Sequence, residues 1–401
     1  MRVLISGASI AGPVLAYWLH RAGFRVTVVE RTASLRTGTG GHPVDLLGPA
    51  VEVVDRMGLG EIVRARRTKT DLMTLVRPGK ADITIHGAQL LAGISDRHIE
   101  IMRGDLAEIL HEATREIVEY RFGTTITAID DTAVTFSDGS REQFDLVVGA
   151  DGLHSGVRRL VFGEERAYRH FLGAYLAVFT LPAYLGTDAV LSYNTVDRAV
   201  AIYPTNDPAR CRAGFLIRSP EIDHDFREPA AQRRLLRALT DGLGWEVPTL
   251  LAHLDDAPDF YFDEISQIRL DSWSRGRVTL VGDAGYGPGP AVGGGSSLAL
   301  VGGYVLATEL IAARGDHTVA FPAYEAAMAG TVAASRRIGP SVLKTLIPGS
   351  GLQLWTMAQT LRVLPHLPRA LQRTLTSFGG GPAAMLSGVQ LRPVPEYSQV
   401  Q

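Results

Sequence analysis

The chain opens with a change of hydrophobic period. Arg2–Ser6 is a short apolar run through Val3, Leu4 and Ile5. From Gly12 onward, Val14, Leu15, Trp18, Leu19 and Ala22 recur at helical spacing, and Gly23 closes that stretch. Pro13 falls in the first helical turn, where its missing N–H is tolerated. Arg25–Glu30 is apolar again, with Val26, Val28 and Val29. The pattern predicts strand, tight turn, helix, strand. Further along, Gly48–Met57 reads as a short helix, and Asp71–Val76 and Ala81–His86 as strands joined at Arg77-Pro78-Gly79-Lys80. A helix opens at Arg103, with Leu106, Ile109, Leu110, Ala113 and Ile117 as its buried stripe. Thr125–Asp130, Ala133–Phe136 and Gln143–Val148 read as strands.

From Phe171 to Arg218 the texture differs. Phe171–Leu181, Ala189–Asn194, Ala199–Pro204 and Arg212–Arg218 are β-rich runs between Gly, Pro and Asn-Asp turns, which predicts an antiparallel sheet. Two helices are expected within residues 228–256, a strand over Tyr261–Leu270, another over Arg277–Val281, and a helix from Leu298 to about Ala313. Residues 321–378 read as helical and broken at Pro340, Pro348 and Pro365, and the Gly- and Pro-rich stretch from Gly379 is expected to be poorly ordered.

Composition narrows the function classes. The 401 residues suffice for a large core, and a net charge of −2 gives no bulk electrostatic case for nucleic acid or an anionic membrane. The single cysteine, Cys211, excludes an intrachain disulfide and a cysteine metal cluster; the eleven histidines show no HExxH or paired spacing, so no metal is expected. The first strand starts at residue 2, which leads us to expect no signal peptide and a cytoplasmic protein. The apolar run Leu298–Ala313 carries Glu309 and is too short to span a bilayer.

Three glycine-bearing turns carry the candidate chemistry. In Gly7-Ala8-Ser9-Ile10-Ala11-Gly12, Gly7 permits the sharp exit from the strand and Gly12 permits close helix–sheet packing, while the helix start aims free N–H groups at a pyrophosphate. Ser9 stands where the dinucleotide fingerprint has its middle glycine. Glu30 ends the second strand, where a carboxylate can bond ribose hydroxyls. The same glycines would also serve a turn that only packs a helix on a sheet. In the following loop, Arg36 and Asp45 are the charged residues best placed to touch a ligand leaving this turn, or they are simply solvated. Arg103, just outside its helix, is placed to reach a phosphate or ring edge, or is a surface arginine. A second strand empties into Gly149-Ala150-Asp151-Gly152, where Asp151 either orients groups near phosphates or caps a helix. A third runs into Gly282-Asp283 and then Gly293-Gly294-Gly295-Ser296-Ser297; Asp283 can take ribitol or ribose hydroxyls, and the helix start offers N–H groups to a negative centre. One extended cofactor lying between the first and third turns accounts for both.

Taken together, GASIAGP with Glu30-Arg31, DLVVGADGLHSGVR (Asp145–Arg158) and LVGDAGYGPGPAVGGGSSLALVGGYVLA (Leu280–Ala307) resemble the FAD-dependent aromatic hydroxylases of the para-hydroxybenzoate hydroxylase fold, especially the tetracycline-inactivating and antibiotic-pathway flavin monooxygenases. The resemblance implies an α/β fold: a Rossmann-like FAD-binding domain of glutathione-reductase type, an inserted antiparallel β-sheet substrate domain and C-terminal helices. It implies FAD-binding segments 1–70, 100–168 and 266–320, substrate segments 71–99 and 169–265, bridging helices 321–378 and a tail 379–401. The cofactor residues implied are Gly7, Ser9, Ile10, Ala11, Gly12, Glu30, Arg31, Arg36, Asp45, Arg103, Asp151, Asp283, Pro290, Gly293, Gly294, Gly295 and Ser296. Tyr286 stands where many relatives have histidine, and Ser297 where many have asparagine.

The implied reaction is that of a single-component monooxygenase. NADPH or NADH reduces FAD, dioxygen forms a flavin C4a-hydroperoxide, and an oxygen passes to an electron-rich carbon of an aromatic or enolic small molecule. The expected partners are the substrate, NAD(P)H and dioxygen, with the chain a monomer or homodimer. No side chain is compelled to act as general base. His42, Tyr193 and Tyr203 are candidates for base or substrate contact, and Phe215 and Pro290 for pocket lining, although plain packing explains them as well. A reductase or dehydrogenase on the same scaffold and a flavin-binding protein without turnover are the rival readings.

Overall fold

The structure is a computed structural model that describes residues 1–35, 42–68, 72–87, 98–223, 228–291, 293–368, 371–372, 386 and 388–395. Its first sheet has six strands in the order Ser274–Arg275, Val278–Leu280, Leu146–Gly149, Arg2–Ser6, Arg25–Glu30 and Glu119–Phe122. All pairings are parallel except the hairpin at residues 274–280, and the opening strand lies centrally, with Val3 opposite both Leu146 and Val26. Strands buried on both faces read as continuous apolar runs, which is why this part of the pattern was legible. The edge strand Glu119–Phe122 was not foreseen: Tyr120 and Phe122 pack inward, but Glu119 and Arg121 break the run.

The helices Ala11–Arg21 and Gly295–Ala312 pack on this sheet and on each other. A Cβ at Gly303 would lie 2.9 Å from the Ala11 carbonyl oxygen, so glycine sets how closely they approach. Gly295–Ala312 is long and apolar enough to cross a membrane by length alone, yet 78% of it is buried inside the protein.

The second large sheet has seven strands in the order Phe260–Ile268, Arg169–Pro182, Arg210–Arg218, Arg198–Pro204, Val190–Thr195, Leu72–Val76 and Ile83–His86. It is antiparallel apart from the pairing of Val190–Tyr193 with Met73–Val76. Strand alternation gives it two different faces. The back face carries Tyr175, Ala177, Phe179, Val200, Ile202, Ala213, Phe215 and Ile217, sealed with Leu236 and Leu250 of the helices Pro229–Leu239 and Val247–Ala252. The front face carries Ala174, Leu176, Val178, Tyr203 and Ile265 and meets Met102, Leu343 and Ile347. Two small sheets complete the fold: Pro43–Leu46 with Ile99–Met102, and Ile126–Ile129 with Ala133–Phe136 and Arg141–Gln143.

Four expectations are corrected. The Arg103–Glu112 helix stops before Ile117, which is 39% exposed; the hydroxyl of Thr114 donates to the Leu110 carbonyl at that end. The expected strand Gln143–Val148 is split, because Asp145 accepts the Arg2 N–H between a strand of the small sheet and Leu146–Gly149. Pro340 does not break its helix: His317–Leu346 runs through both Pro322 and Pro340. A proline at 340 leaves the Arg336 carbonyl without its helical donor, and the Gln267 side chain donates to that carbonyl at 3.1 Å. Finally, the described part of the expected tail is docked, with Leu391 and Val394 on the main core and the Leu391 and Arg392 carbonyls accepting from Arg56.

Candidate functional site

The opening turn is built by exclusion of side chains. Gly7 sits at φ +112°, donates its N–H to the Val29 carbonyl at 2.8 Å, and leaves room for a Cβ only 2.3 Å from the Ala150 oxygen. A Cβ at Gly12 would lie 2.0 Å from the Gly7 oxygen. Both positions therefore exclude any larger residue in this turn. Ile10 and Ala11 are buried at the helix start, and Ser9 accepts a hydrogen bond from Arg103 Nη2 at 3.0 Å. Glu30 ends its strand as expected. Its carboxylate accepts the Ala8 N–H at 3.1 Å and the Thr32 N–H at 3.1 Å, so it ties the turn to the strand end it would share with a ribose. Arg31 is exposed beside it, and Arg36 lies outside the described residues.

The third glycine turn faces the first across Arg103. Asp283 opens the four-residue helix Asp283–Tyr286 and has no hydrogen-bond partner among the described residues. Burial pushes its carboxyl up, against the pull of Arg103 and Arg158. Gly289, Gly293 and Gly294 all take positive φ and carry the chain around Pro290 to the Gly295–Ser296 helix start. The hydroxyl of Ser297 donates to the Asp45 carbonyl at 2.7 Å and accepts the Leu47 N–H at 2.9 Å, which fixes the Asp45 strand against that helix start. Asp45 itself contacts His98 Nε2 at 2.7 Å.

Asp151 lies at the start of the next helix, whose N-cap residue is Ser155. It accepts the Ser155 hydroxyl and the Val157 N–H at the start of Gly156–Phe162. Arg158 of that helix is fully buried and donates to the Ala284 carbonyl, one residue past Asp283.

The front face of the seven-stranded sheet meets these turns. A Cβ at Gly289 would touch the Ser266 oxygen at 3.3 Å and the Leu172 side chain at 3.5 Å, so the Pro290 loop rests on this face. Tyr203 belongs to the same cluster and packs against Gly214. Next to it lies Arg212, 3% exposed, 4.0 Å from the Asp259 carboxylate. His42 is close enough to be influenced by Arg103 and Arg212. Burial first, then those two cations, lower its pKa to about 4 against the opposing pull of Asp45. It is therefore a neutral imidazole at neutral pH. Burial pushes the Tyr203 phenol upward, so it too is neutral.

Tyr193 and Phe215 are not in this group, which corrects the expectation that they line the pocket. Phe215 is fully buried on the back face and stacks on Phe179 at 5.9 Å; Tyr193 packs on Trp245 at 5.5 Å. The parity of their strand positions turns them away from Tyr203. Arg212 was missed, although a signal existed. In Arg210–Arg218 the odd positions Cys211, Ala213, Phe215 and Ile217 are apolar, which sends Arg212 to the opposite face.

Glycine walls, a helix start, Arg103 and a carboxylate without a hydrogen-bond partner among the described residues fit a dinucleotide cofactor. Residues 1–319 match the FAD binding domain family. The chain is 37% identical over 352 residues to a flavin-dependent monooxygenase of Legionella longbeachae serogroup 1 (strain NSW150), covering 86% of this chain and 90% of that protein. It is 33% identical over 390 residues to the monooxygenase CTB7 of Cercospora beticola, covering 90% and 92%. Among solved structures it is similar to the tetracycline destructase Tet(55), with a TM-score of 0.81, 35% identity and 98% of each chain covered. It shares its fold with Klebsiella pneumoniae HpxO complexed with FAD and uric acid, at a TM-score of 0.73, 22% identity and 97% of each chain. The chain belongs to the FAD-binding flavin-dependent monooxygenase family.

Proposed function

We propose that this protein uses NAD(P)H and dioxygen to hydroxylate an aromatic or enolic small molecule of polyketide or antibiotic type. The observation that carries the reading is the gathering of Arg103, His42, Arg212 and Tyr203 beside the glycine-walled turns. Bound FAD supplies the reduction of dioxygen and the transfer of one oxygen atom. The protein's part is to hold, orient and shield. Gly7, Ser9, Ile10, Ala11 and Gly12 with the helix start take the pyrophosphate, Glu30 and Asp283 take hydroxyls of the cofactor, and Arg31, Asp45, Asp151, Pro290 and Gly293–Ser296 border it.

Arg212 is a buried cation held near Asp259, so it favours a ligand oxygen carrying negative charge, as a phenolate or enolate does. His42, with its pKa lowered to about 4, is a neutral imidazole at neutral pH and keeps one ring nitrogen free of hydrogen to accept a hydrogen bond from a ligand hydroxyl. The Gly295–Ala312 helix start favours negative charge near the flavin position. The apolar wall of Leu172, Leu216 and Ala291 limits water in the cleft. The two tetracycline destructase structures among the neighbours support a flat, polyhydroxylated substrate. The lone, buried Cys211 agrees with a reducing, cytoplasmic setting.

The experiment is to load the purified chain with FAD and screen phenolic polyketides and tetracyclines for stimulated NADPH or NADH oxidation, oxygen uptake and oxygenated product. Stimulation with product supports the reading. Bleaching of the flavin by substrate alone under anaerobic conditions would make the protein a dehydrogenase, and flavin binding with no turnover on any ligand would make it a binding protein.

A further inference from the structure

Tyr261 packs with Leu172 and Ala291 on the front face of the seven-stranded sheet, within the influence of both Arg103 and Asp283. Its hydroxyl lies 3.3 Å from Oδ2 of Asp263, two residues along the same face. Asp263 is nearly buried and surrounded by donors. The Glu264 N–H reaches Oδ1 at 2.9 Å, and His154 Nε2 lies 3.0 Å from Oδ2 and 3.2 Å from Oδ1. The other ring nitrogen of His154 is 2.9 Å from Oε1 of Glu165, which Arg158 anchors in turn.

A carboxylate only accepts, so an imidazole between two of them satisfies both when each ring nitrogen carries hydrogen. Burial alone would lower the His154 pKa, but the bonds and charges of Asp263 and Glu165 outweigh it and raise the value to about 9. Glu264 and Arg169 are the further charged groups facing this cluster. With His154 charged, Asp263 remains an acceptor and the hydrogen of Tyr261 is directed to it. Burial and the charge of Asp263 keep Tyr261 a neutral phenol. What Tyr261 has left for the cleft is its oxygen lone pairs.

We propose that His154, acting through Asp263, fixes the Tyr261 hydroxyl as a hydrogen-bond acceptor toward the cleft, so that the cleft selects aromatic or enolic ligands bearing a free hydroxyl. This rests on the proposed reading that the cleft takes such a ligand. His154 and Asp263 are positioning residues, and Tyr261 is the specificity-determining group. The arrangement joins a loop of the parallel sheet, at His154, to a strand of the other sheet, at Asp263, so the polarity of one cleft hydroxyl depends on both.

The test uses the FAD-loaded full chain and equilibrium dialysis with two ligand pairs: 2-naphthol with 2-methoxynaphthalene, and 2-hydroxyanthraquinone with 2-methoxyanthraquinone. The unsubstituted protein is expected to bind the free hydroxyl roughly tenfold tighter than the ether, the discrimination of a site left with an unpaired acceptor. Tyr261→Phe should lower that ratio several-fold, the remainder being what the His42 acceptor supplies, and Asp263→Asn and His154→Gln should shrink it, with the flavin band retained. Loss of packing alone would weaken both members of a pair and leave the ratio unchanged. A ratio near one in the unsubstituted protein, or one unmoved by Tyr261→Phe, overturns the proposal while the cleft reading stands. If no member of either pair binds, the cleft reading falls and the proposal falls with it. Should His154→Gln fail to hold flavin, Tyr261→Phe and Asp263→Asn decide.

Discussion

The cofactor groove and the proposed ligand face are made of different materials. The groove is walled by backbone: Gly7 and Gly12 pack so closely that a Cβ would fall 2.3 Å and 2.0 Å from carbonyl oxygens, and helix starts stand beside the few side chains Arg103, Glu30 and Asp283. The ligand face is side chain: Tyr203, Arg212 and Tyr261 stand on alternate positions of three strands, with the sealed apolar core on the reverse side. Backbone recognition tolerates little change because the constraint is steric. A side-chain face can change its ligand while the strands beneath it stay the same. This difference explains how one scaffold accommodates relatives with different names and ligands.

The sharpest break of the comparison is Gly12→Val. It forces a side chain into the Gly7 carbonyl, and the expected outcome is a chain that retains no flavin and expresses poorly, read from the visible spectrum and the soluble yield. Next comes Arg212→Met, which removes the buried cation from the ligand face. Flavin content should be unchanged, while ligand-stimulated NAD(P)H oxidation falls on the order of a hundredfold, as for loss of a buried charged contact. Equal loss of flavin would mean that the two regions are not separable.

Phe215→Ala and Tyr203→Phe test the two faces of one sheet. Phe215→Ala should cost about 3–5 kcal/mol in denaturant unfolding and leave the flavin spectrum alone. Tyr203→Phe removes one hydroxyl and should shift stability by less than about 1 kcal/mol while altering ligand affinity. If Phe215→Ala changed ligand preference at constant stability, the assignment of its face would be wrong.

The smallest effect is a pH dependence. The His154 pKa is raised to about 9 in the folded chain, so its contribution to stability is complete below about 6.5 and is lost as pH climbs through about 9. The His42 value is lowered to about 4, so its contribution has the opposite sign: complete above about 6.5 and lost as pH falls toward 4. Thermal midpoints across the pH range should fall on both sides. His154→Gln should flatten the alkaline limb alone and His42→Gln the acidic limb alone.

Local periodicity was enough for the strand–turn–helix opening, the glycine turns and the β-rich middle, because each is a short-range steric or amphipathic constraint. It did not show Glu119–Phe122 as a sheet strand, since an edge strand buries only half of its residues. It also misjudged Pro340. The donor that replaces the missing helical bond is Gln267, which is distant in sequence.

The sequence by itself determined where backbone must pass without side chains, with glycine at the crowded positions 7 and 12 and at the left-handed positions 293 and 294, and the resemblance of three motifs in order pointed to the cofactor class. The tertiary structure decided which side chains line the proposed ligand face and which support it. Arg212 comes from one strand, Tyr261 and Asp263 from another and His154 from a loop, and only the pairing register and the packing of one sheet against the other turns were able to bring them together in place of Tyr193 and Phe215. Strand alternation specifies two faces, but which face is covered by helices and which receives a ligand depends on contacts between residues far apart in the chain.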